Sequence, residues 1–274
     1  MNTKILVPVD FSECSINATQ YAASLAKKMN ASLVLLHSLN VPVTHGELGA
    51  TTILGELTTG IEEDIEENFQ KLVLQVPLLK DISYTKVIRH SFVTDAVYHT
   101  SANEAIDLIV MGTKGAHGLE EMIMGSNTYS VIRDIDIPVL AIPEGAVFKS
   151  IQGIVFASDY KTTNTDNLKP LLSFTKTFGS EIHVLHVASE KNISQNELEE
   201  AKKFQRFFKN VRHHFHFIQN ENLETSIENY VKDHRINMIS LLPRKHSLFE
   251  QIFGKTHSRK IILHTEVPLL ALPS

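Results

Sequence analysis

The chain repeats itself once, and a repeat of this length admits few architectures. Ile5-Leu6-Val7-Pro8-Val9-Asp10-Phe11 returns as Ile154-Val155-Phe156-Ala157-Ser158-Asp159-Tyr160, at an offset of 149 residues. Ser32-Leu33-Val34-Leu35-Leu36-His37 returns as Glu181-Ile182-His183-Val184-Leu185-His186, again at 149. Ile137-Pro138-Val139-Leu140-Ala141-Ile142-Pro143 returns as Val267-Pro268-Leu269-Leu270-Ala271-Leu272-Pro273, at 130. Three matched segments in one order mark a duplication, and 274 residues suit two medium domains. The fall in offset means that the second copy has lost about 19 residues between its second and fifth strands. The loss is expected in the stretch matching Val41 to Gly60, whose Gly, Thr and Pro content reads as a loop. The copies join near Glu144 to Ser150, which gives domains 1–146 and 147–274.

Within each copy, apolar runs alternate with amphipathic stretches. The first copy has runs at 4–9, 32–38, 82–89, 107–111 and 138–142, each with the length and Val/Ile/Leu content of a buried strand. The second has them at 151–157, 181–187, 213–218, 236–242 and 267–272. Between the first two runs, Cys14, Ala18, Tyr21, Ala22, Leu25, Ala26 and Met29 recur at helical spacing, and Ile61, Ile65, Phe69, Leu72 and Val76 do so further on. Helices are expected near 164–178, 197–209, 222–234 and 256–264 in the second copy. This order predicts the α/β class: two tandem five-stranded parallel sheets of Rossmann-like type, covered by helices on both faces.

Ligands of such sheets bind at the carboxyl ends of the strands, where the topology switches. In the first copy those ends are Pro8-Val9-Asp10, His37-Ser38 and Met111-Gly112-Thr113. The segment after the fourth strand carries the sharpest signal in the chain. Gly112, Gly115, Gly118 and Gly125 put four of the twelve glycines into 14 residues. Glycine lets backbone N–H groups approach a phosphate closely and form an anion nest. Ser126 opens the next amphipathic run and is expected as its N-cap, at a helix end that favours negative charge.

The spacing Gly112-x2-Gly115-x9-Gly125-Ser126 resembles the ATP-binding signature of the universal stress protein family. Val7-Pro8-Val9-Asp10-Phe11-Ser12 and Asp107-Leu108-Ile109-Val110-Met111-Gly112 are similar to that family's first and fourth strands. The resemblance implies an adenine nucleotide laid over the strand ends and pairing of the two copies through their fifth strands, an internal pseudo-dimer. By position it places Asp10 near ribose and adenine, and the backbone at Ser38 on the adenine edge. Gly112 and Gly115 would follow ribose and phosphates, with Gly125, Ser126 and Asn127 at the phosphate tail. The nucleotide-binding set is thus Pro8, Val9, Asp10, Ser38, Met111, Gly112, Thr113, Gly115, Gly125, Ser126 and Asn127. The resemblance implies ATP as the cofactor, with Asp10 able to hold Mg²⁺ or ribose.

The corresponding loop of the second copy reads Leu242-Pro243-Arg244-Lys245-His246-Ser247-Leu248 and ends in Gly254-Lys255-Thr256. It lacks the first two glycines, and Pro243 removes a donor, so this site is read as degenerate. The rival reading has Arg244, Lys245 and His246 bind an anion through side chains. Gly254-Lys255-Thr256 is not a P-loop, because Phe249 stands where the motif needs glycine. His213, His214 and His216 share a strand. His214 and His216 have ligand-like spacing, but no fixed third or fourth ligand is visible, so no metal is assigned. His37 and His186 are read as packed histidines, Cys14 as a buried thiol, and Glu62 to Glu67 as a solvated helix face.

One cysteine excludes an intrachain disulfide. No apolar stretch is long enough to span a bilayer and no secretion signal is visible, so a cytoplasmic protein without membrane contact is expected. Residues 1–148 carry 9 Lys+Arg against 18 Asp+Glu, and residues 149–274 carry 17 against 13. The asymmetry is read as drift between solvated faces, and the net charge of −5 gives no reason to expect nucleic acid. The site offers no nucleophile–base pair, and the segment Asp10 to Ser15 lacks the glycines of related nucleotide hydrolases. The expected function is therefore an ATP-binding stress-response regulator with an unidentified protein partner and scope for further dimerisation. A slow ATPase and a nucleotide-independent adaptor are the alternatives.

Overall fold

The structure, a computed structural model, describes residues 3–39, 50–113, 124–160, 164–188, 194–220, 222–243 and 267–273. Lys4–Pro8 (β1), Ser32–Ser38 (β2), Tyr84–Arg89 (β3), Leu108–Gly112 (β4) and Val139–Ile142 (β5) form the first half's strands. Gly153–Ala157 (β6), Glu181–Ala188 (β7), His213–Gln219 (β8), Met238–Leu241 (β9) and Leu269–Ala271 (β10) form the second's. Every strand falls on one of the apolar runs.

The ten strands make one sheet in the order β3-β2-β1-β4-β5-β10-β9-β6-β7-β8. All pairs within a half are parallel. The join is antiparallel: Leu269 pairs with Ala141, Leu270 with Leu140 and Ala271 with Val139. The fifth strands therefore meet as the resemblance implies, and each half keeps the order of an open doubly wound sheet.

Helices cover both faces. Glu13–Met29 (α1), Ala50–Gln75 (α2), Lys169–Phe178 (α5) and Gln195–Phe207 (α6) join one core with Ile5, Val7, Leu140, Phe156 and Leu270. Val93–Glu104 (α3), Ser126–Asp134 (α4) and Leu223–Asp233 (α7) join the other with Leu6, Ile109, Val139, Val155 and Leu269. Alternate residues of each strand serve opposite faces, and each core runs without a break through both halves. The helix ends are locally specified. Ser12 Oγ caps α1 by accepting from the Ser15 N–H at 3.2 Å, and α1 ends on Asn30 in the left-handed region. Ser194 and Glu197 form a capping box at α6.

The expected loop from Val41 to Gly60 is corrected in its second part: α2 begins at Ala50. Ile53, Leu57, Ile61 and Ile65 continue the helical spacing back through the Thr-rich segment, and that period outweighs the cost of Gly55 and Gly60. Residues 40–49 and the helix expected at 256–264 lie outside the described residues. The lost segment also becomes specific. The offset is 149 between β2 and β7 but 129 between β3 and β8, and α2 has 26 residues where α6 has 13. The second half gave up half a helix as well as loop. No described helix is long and apolar enough to cross a membrane.

The paired Leu140 and Leu270 are both fully buried. Leu270→Ala is expected to cost about 2–5 kcal/mol in urea unfolding. Leu74→Ala, on the exposed side of α2, should stay within about 0.5 kcal/mol.

Candidate functional site

The first half winds outward from β1 in both directions, to β2 and β3 on one side and to β4 and β5 on the other. The switch point lies between β1 and β4, where the two crossovers diverge and leave a crevice. Pro8, Val9 and Asp10 stand on one wall, and Met111, Gly112 and Thr113 on the other. Ser38 ends β2 beside them, and Gly125, Ser126 and Asn127 form the start of α4. Lys114 and Gly115 lie outside the described residues.

Asp10 sits in a tight turn. Its Oδ1 accepts from the Ser12 N–H at 3.1 Å and from the Ser12 hydroxyl at 2.6 Å. Ser12 thus links the acidic residue to the cap of α1. Between them Phe11 takes φ 63°, a left-handed conformation that a bulky residue adopts only when its surroundings impose it. The Phe11 ring packs on His37 at 4.8 Å and edge-on to Phe69 at 5.1 Å. His37 Nδ1 bonds the Val9 carbonyl at 2.7 Å, so this histidine fixes the end of β1, as expected of a packed residue. The Ser38 hydroxyl donates to the Ser91 carbonyl at 2.5 Å and holds the β3–α3 connection.

The other wall is built around Gly112. A Cβ there would lie 2.6 Å from Cys14 Sγ and 3.0 Å from the Cys14 carbonyl oxygen. The need for glycine at this position arises from α1 packing against β4, a role that glycine spacing alone does not reveal. Cys14 is buried, as expected. The Thr128 hydroxyl, also buried, donates to the Gly112 carbonyl at 2.7 Å and ties α4 to the end of β4.

One expectation about α4 is corrected. Its N-cap is Gly125, not Ser126, and no side chain caps it among the described residues. The Gly125 N–H donates to the Thr113 carbonyl at 2.5 Å. Gly125 has φ −58°, which any residue adopts, so its backbone does not demand glycine. The Thr113 N–H is engaged too, with the Ile142 carbonyl at 3.0 Å. The first bond joins Thr113 to Gly125, and the second ties Thr113 to the end of β5. The N–H groups of the first helical turn, at Ser126 and Asn127, have no intrahelical partner. Ser126 and Asn127 are both exposed.

The second half reproduces the first wall. Tyr160 repeats Phe11 at φ 49°, stacks on His186 at 4.4 Å, and burial pushes its phenol up to about 12. His186 Nδ1 bonds the Ser158 carbonyl at 2.9 Å, as His37 does that of Val9. Arg244, Lys245 and His246 lie outside the described residues. Sequence reasoning missed Ser12, Thr128 and the Gly112–Cys14 contact. Only the polar residues three and 16 positions from their partners hint at the first two.

If Gly112 serves packing, Gly112→Ala should destabilise the chain by about 1–3 kcal/mol. Cys14→Ala should recover part of that loss in a double-mutant cycle of urea midpoints, because it removes the nearer clash.

The sequence profile described as the universal stress protein family matches residues 1–143. A universal stress protein of Methanocaldococcus jannaschii is 28% identical over 141 residues, covering 51% of this chain and 81% of its own length. One from Coxiella burnetii is 29% identical over 141 residues, covering 50% of this chain and 94% of its own. The solved structure of a universal stress protein from Archaeoglobus fulgidus has a TM-score of 0.67 at 19% identity, over 98% of this chain and 95% of that one, which shows that the fold is shared through both halves. The sequence match to the first half and the fold match to both together establish that the chain belongs to the universal stress protein family.

Proposed function

We propose that the chain binds one adenine nucleotide, ATP, in the crevice between β1 and β4, and acts as a regulatory protein of the stress response in the cytoplasm. The observation that carries this reading is the switch point between the paired strands β1 and β4, where Asp10 follows one strand, Gly112 ends the other and Thr128 ties α4 to Gly112. A helix N-terminus, whose first N–H groups have no intrahelical partner, favours phosphate. Asp10, at the opposite wall, is a carboxylate suited to ribose hydroxyls or to a Mg²⁺ on the phosphates. Gly115 belongs to the same proposal by its place in the signature spacing. The halves divide at 146/147, and the second keeps the β-strand wall but carries a degenerate loop. The family profile's match to residues 1–143 favours the same division of labour.

Calorimetry with Mg-ATP should give a stoichiometry near one per chain, and two equal sites would overturn the degenerate reading. A variant series then tests how phosphate is held. Gly125→Val should damage binding most, since it adds bulk where the phosphate tail would approach while its φ of −58° suits valine. Ser126→Ala should cost about 1–2 kcal/mol of affinity through a lost hydroxyl donor, and Lys114→Ala about 0–1 kcal/mol. If Lys114→Ala abolishes binding and Gly125→Val leaves it intact, side-chain charge rather than backbone holds the ligand.

A further inference from the structure

Four histidines, a carboxylate and a tyrosine meet where α7 covers β7 and β8. Glu181 and His183 alternate on β7, His214 and His216 on β8, and His183 is registered beside His214, so all four side chains leave the same face of the sheet. α7 lies on that face: Ile227, Tyr230 and Val231 are buried in the core that they share with Leu185 and Ile239. The His183 ring centre stands 5.6 Å from His214, 5.6 Å from His216 and 6.0 Å from His234, which follows the helix. His216 stands 5.8 Å from His234 and 5.0 Å from Tyr230. Among the described residues no group of three or more His, Cys, Asp or Glu is arranged to hold a metal ion. The chemistry that these rings offer is proton binding near neutral pH.

We propose that the cluster is a proton-operated latch: with neutral imidazoles α7 stays docked on β7 and β8, and their protonation releases it. The hydrogen bonds of His183 suit the neutral ring. Burial, and after it the charge of Glu181, pushes the Tyr230 phenol well up, so the hydroxyl keeps its proton. That hydroxyl lies 2.8 Å from His183 Nδ1, and Glu181 Oε1 lies 3.2 Å from Nε2. A neutral ring with its hydrogen on Nε2 accepts from Tyr230 and donates to Glu181. A proton from solvent then adds at Nδ1, where it faces the Tyr230 O–H and takes away that hydroxyl's acceptor. His216 has a buried Nε2 with no hydrogen-bond partner among the described residues, so a proton there is a charge without a partner.

The surroundings do little to offset such charges. Glu181 is in ion-pair range of two rings, 3.2 Å from His183 Nε2 and 3.8 Å from His214 Nε2. Asp233 lines a cleft with His216 and His234, and the other charged residues of α7 are Glu224, Glu228 and Lys232. On the far side of β7, β6 brings no titratable side chain. Arg212, before β8, donates to the Gly179 carbonyl, and Arg235 after His234 is exposed. Burial holds His183 and His216 below the ordinary imidazole range. Glu181 opposes this at His183, and the neighbouring histidines reinforce it at both. Released from the helix, the rings return to about 6.5. The docked state therefore binds fewer protons than the released one. Its advantage is complete above that value and is lost as pH falls through it toward the docked-state values. Four strands, β5, β10, β9 and β6, separate the cluster from the β1–β4 crevice, so the latch stands independently of the nucleotide reading.

Hydrogen exchange of the full chain, expressed as protection factors at pH 7.5 and 5.5, tests the latch. The window lies above the carboxylate range, so histidines dominate it. The α7 amides should lose protection by up to roughly tenfold for each histidine that the docked helix keeps neutral. The amides of α3, on the same face of the first half, should hold theirs. His216→Phe keeps a ring beside His183 without a proton site and should remove about one such factor from the loss. In the unaltered chain, the assigned imidazole resonances of His183 and His216 should titrate below about 6.5, a readout that needs no variant to fold. Equal protection of α7 at both pH values, the same acid loss in His216→Phe as in the unaltered chain, or ordinary titration of both rings would overturn the proposal.

Discussion

The antiparallel contact of β5 with β10 is the constraint on which the rest of the molecule depends. Each half alone would end its sheet in a short apolar strand with a row of unpaired backbone groups, which invites uncontrolled pairing. Here each of these strands completes the other. Val139, Leu140, Ala141, Leu269, Leu270 and Ala271 are all at most 2% exposed, so the seam is as dry as either core. Pro138 and Pro143 bracket one strand and Pro268 and Pro273 the other. Proline cannot donate to a ladder, and the pairing is thereby confined to three registered couples. Because both cores cross the seam, the duplicated units are one packed body.

Much of this is legible in the amino-acid order, because the physics that makes a buried parallel strand also writes it as a run of Val, Ile and Leu. The inner strands lie on such runs, while β3 and β8 at the two edges carry polar residues and are only partly buried. Expectation and structure part where two signals compete. Thr51, Thr52, Thr58 and Thr59 with Gly55 and Gly60 point to loop, while the period of four from Ile53 to Ile65 points to helix, and the period wins. Ser126 is the natural cap by residue type, but the bond between Gly125 and Thr113 fixes the chain one residue earlier. The histidine cluster is hidden for another reason: His183 and His234 are 51 residues apart, and only strand register and the return of α7 bring them together.

Glycine at the crevice illustrates how one residue type serves distinct ends. Gly112 is required by contact, since Cys14 leaves no room for a Cβ. Gly125 is permitted rather than required by its backbone, and its N–H closes the base of the loop. A glycine-rich segment at a strand end therefore mixes positions that shape the protein with positions that would face a ligand. Hydrogen bonds inside the fold sort one from the other: the N–H groups of Thr113 and Gly125 donate within it, and those of Ser126 and Asn127 have no intrahelical partner.

The reversed direction of β10 relative to β5 has a consequence for how the molecule presents itself. The carboxyl ends of β1 and β4 emerge along one rim of the sheet, while those of β6 and β9 emerge along the opposite rim. The two ancestral crevices thus look away from each other, like doors on opposite sides of a wall. A molecule resting against one rim would touch the strand ends of that half alone. Because the segments after β4 and β9 differ in sequence, the chain has a front and a back that a symmetric pair of identical domains does not possess.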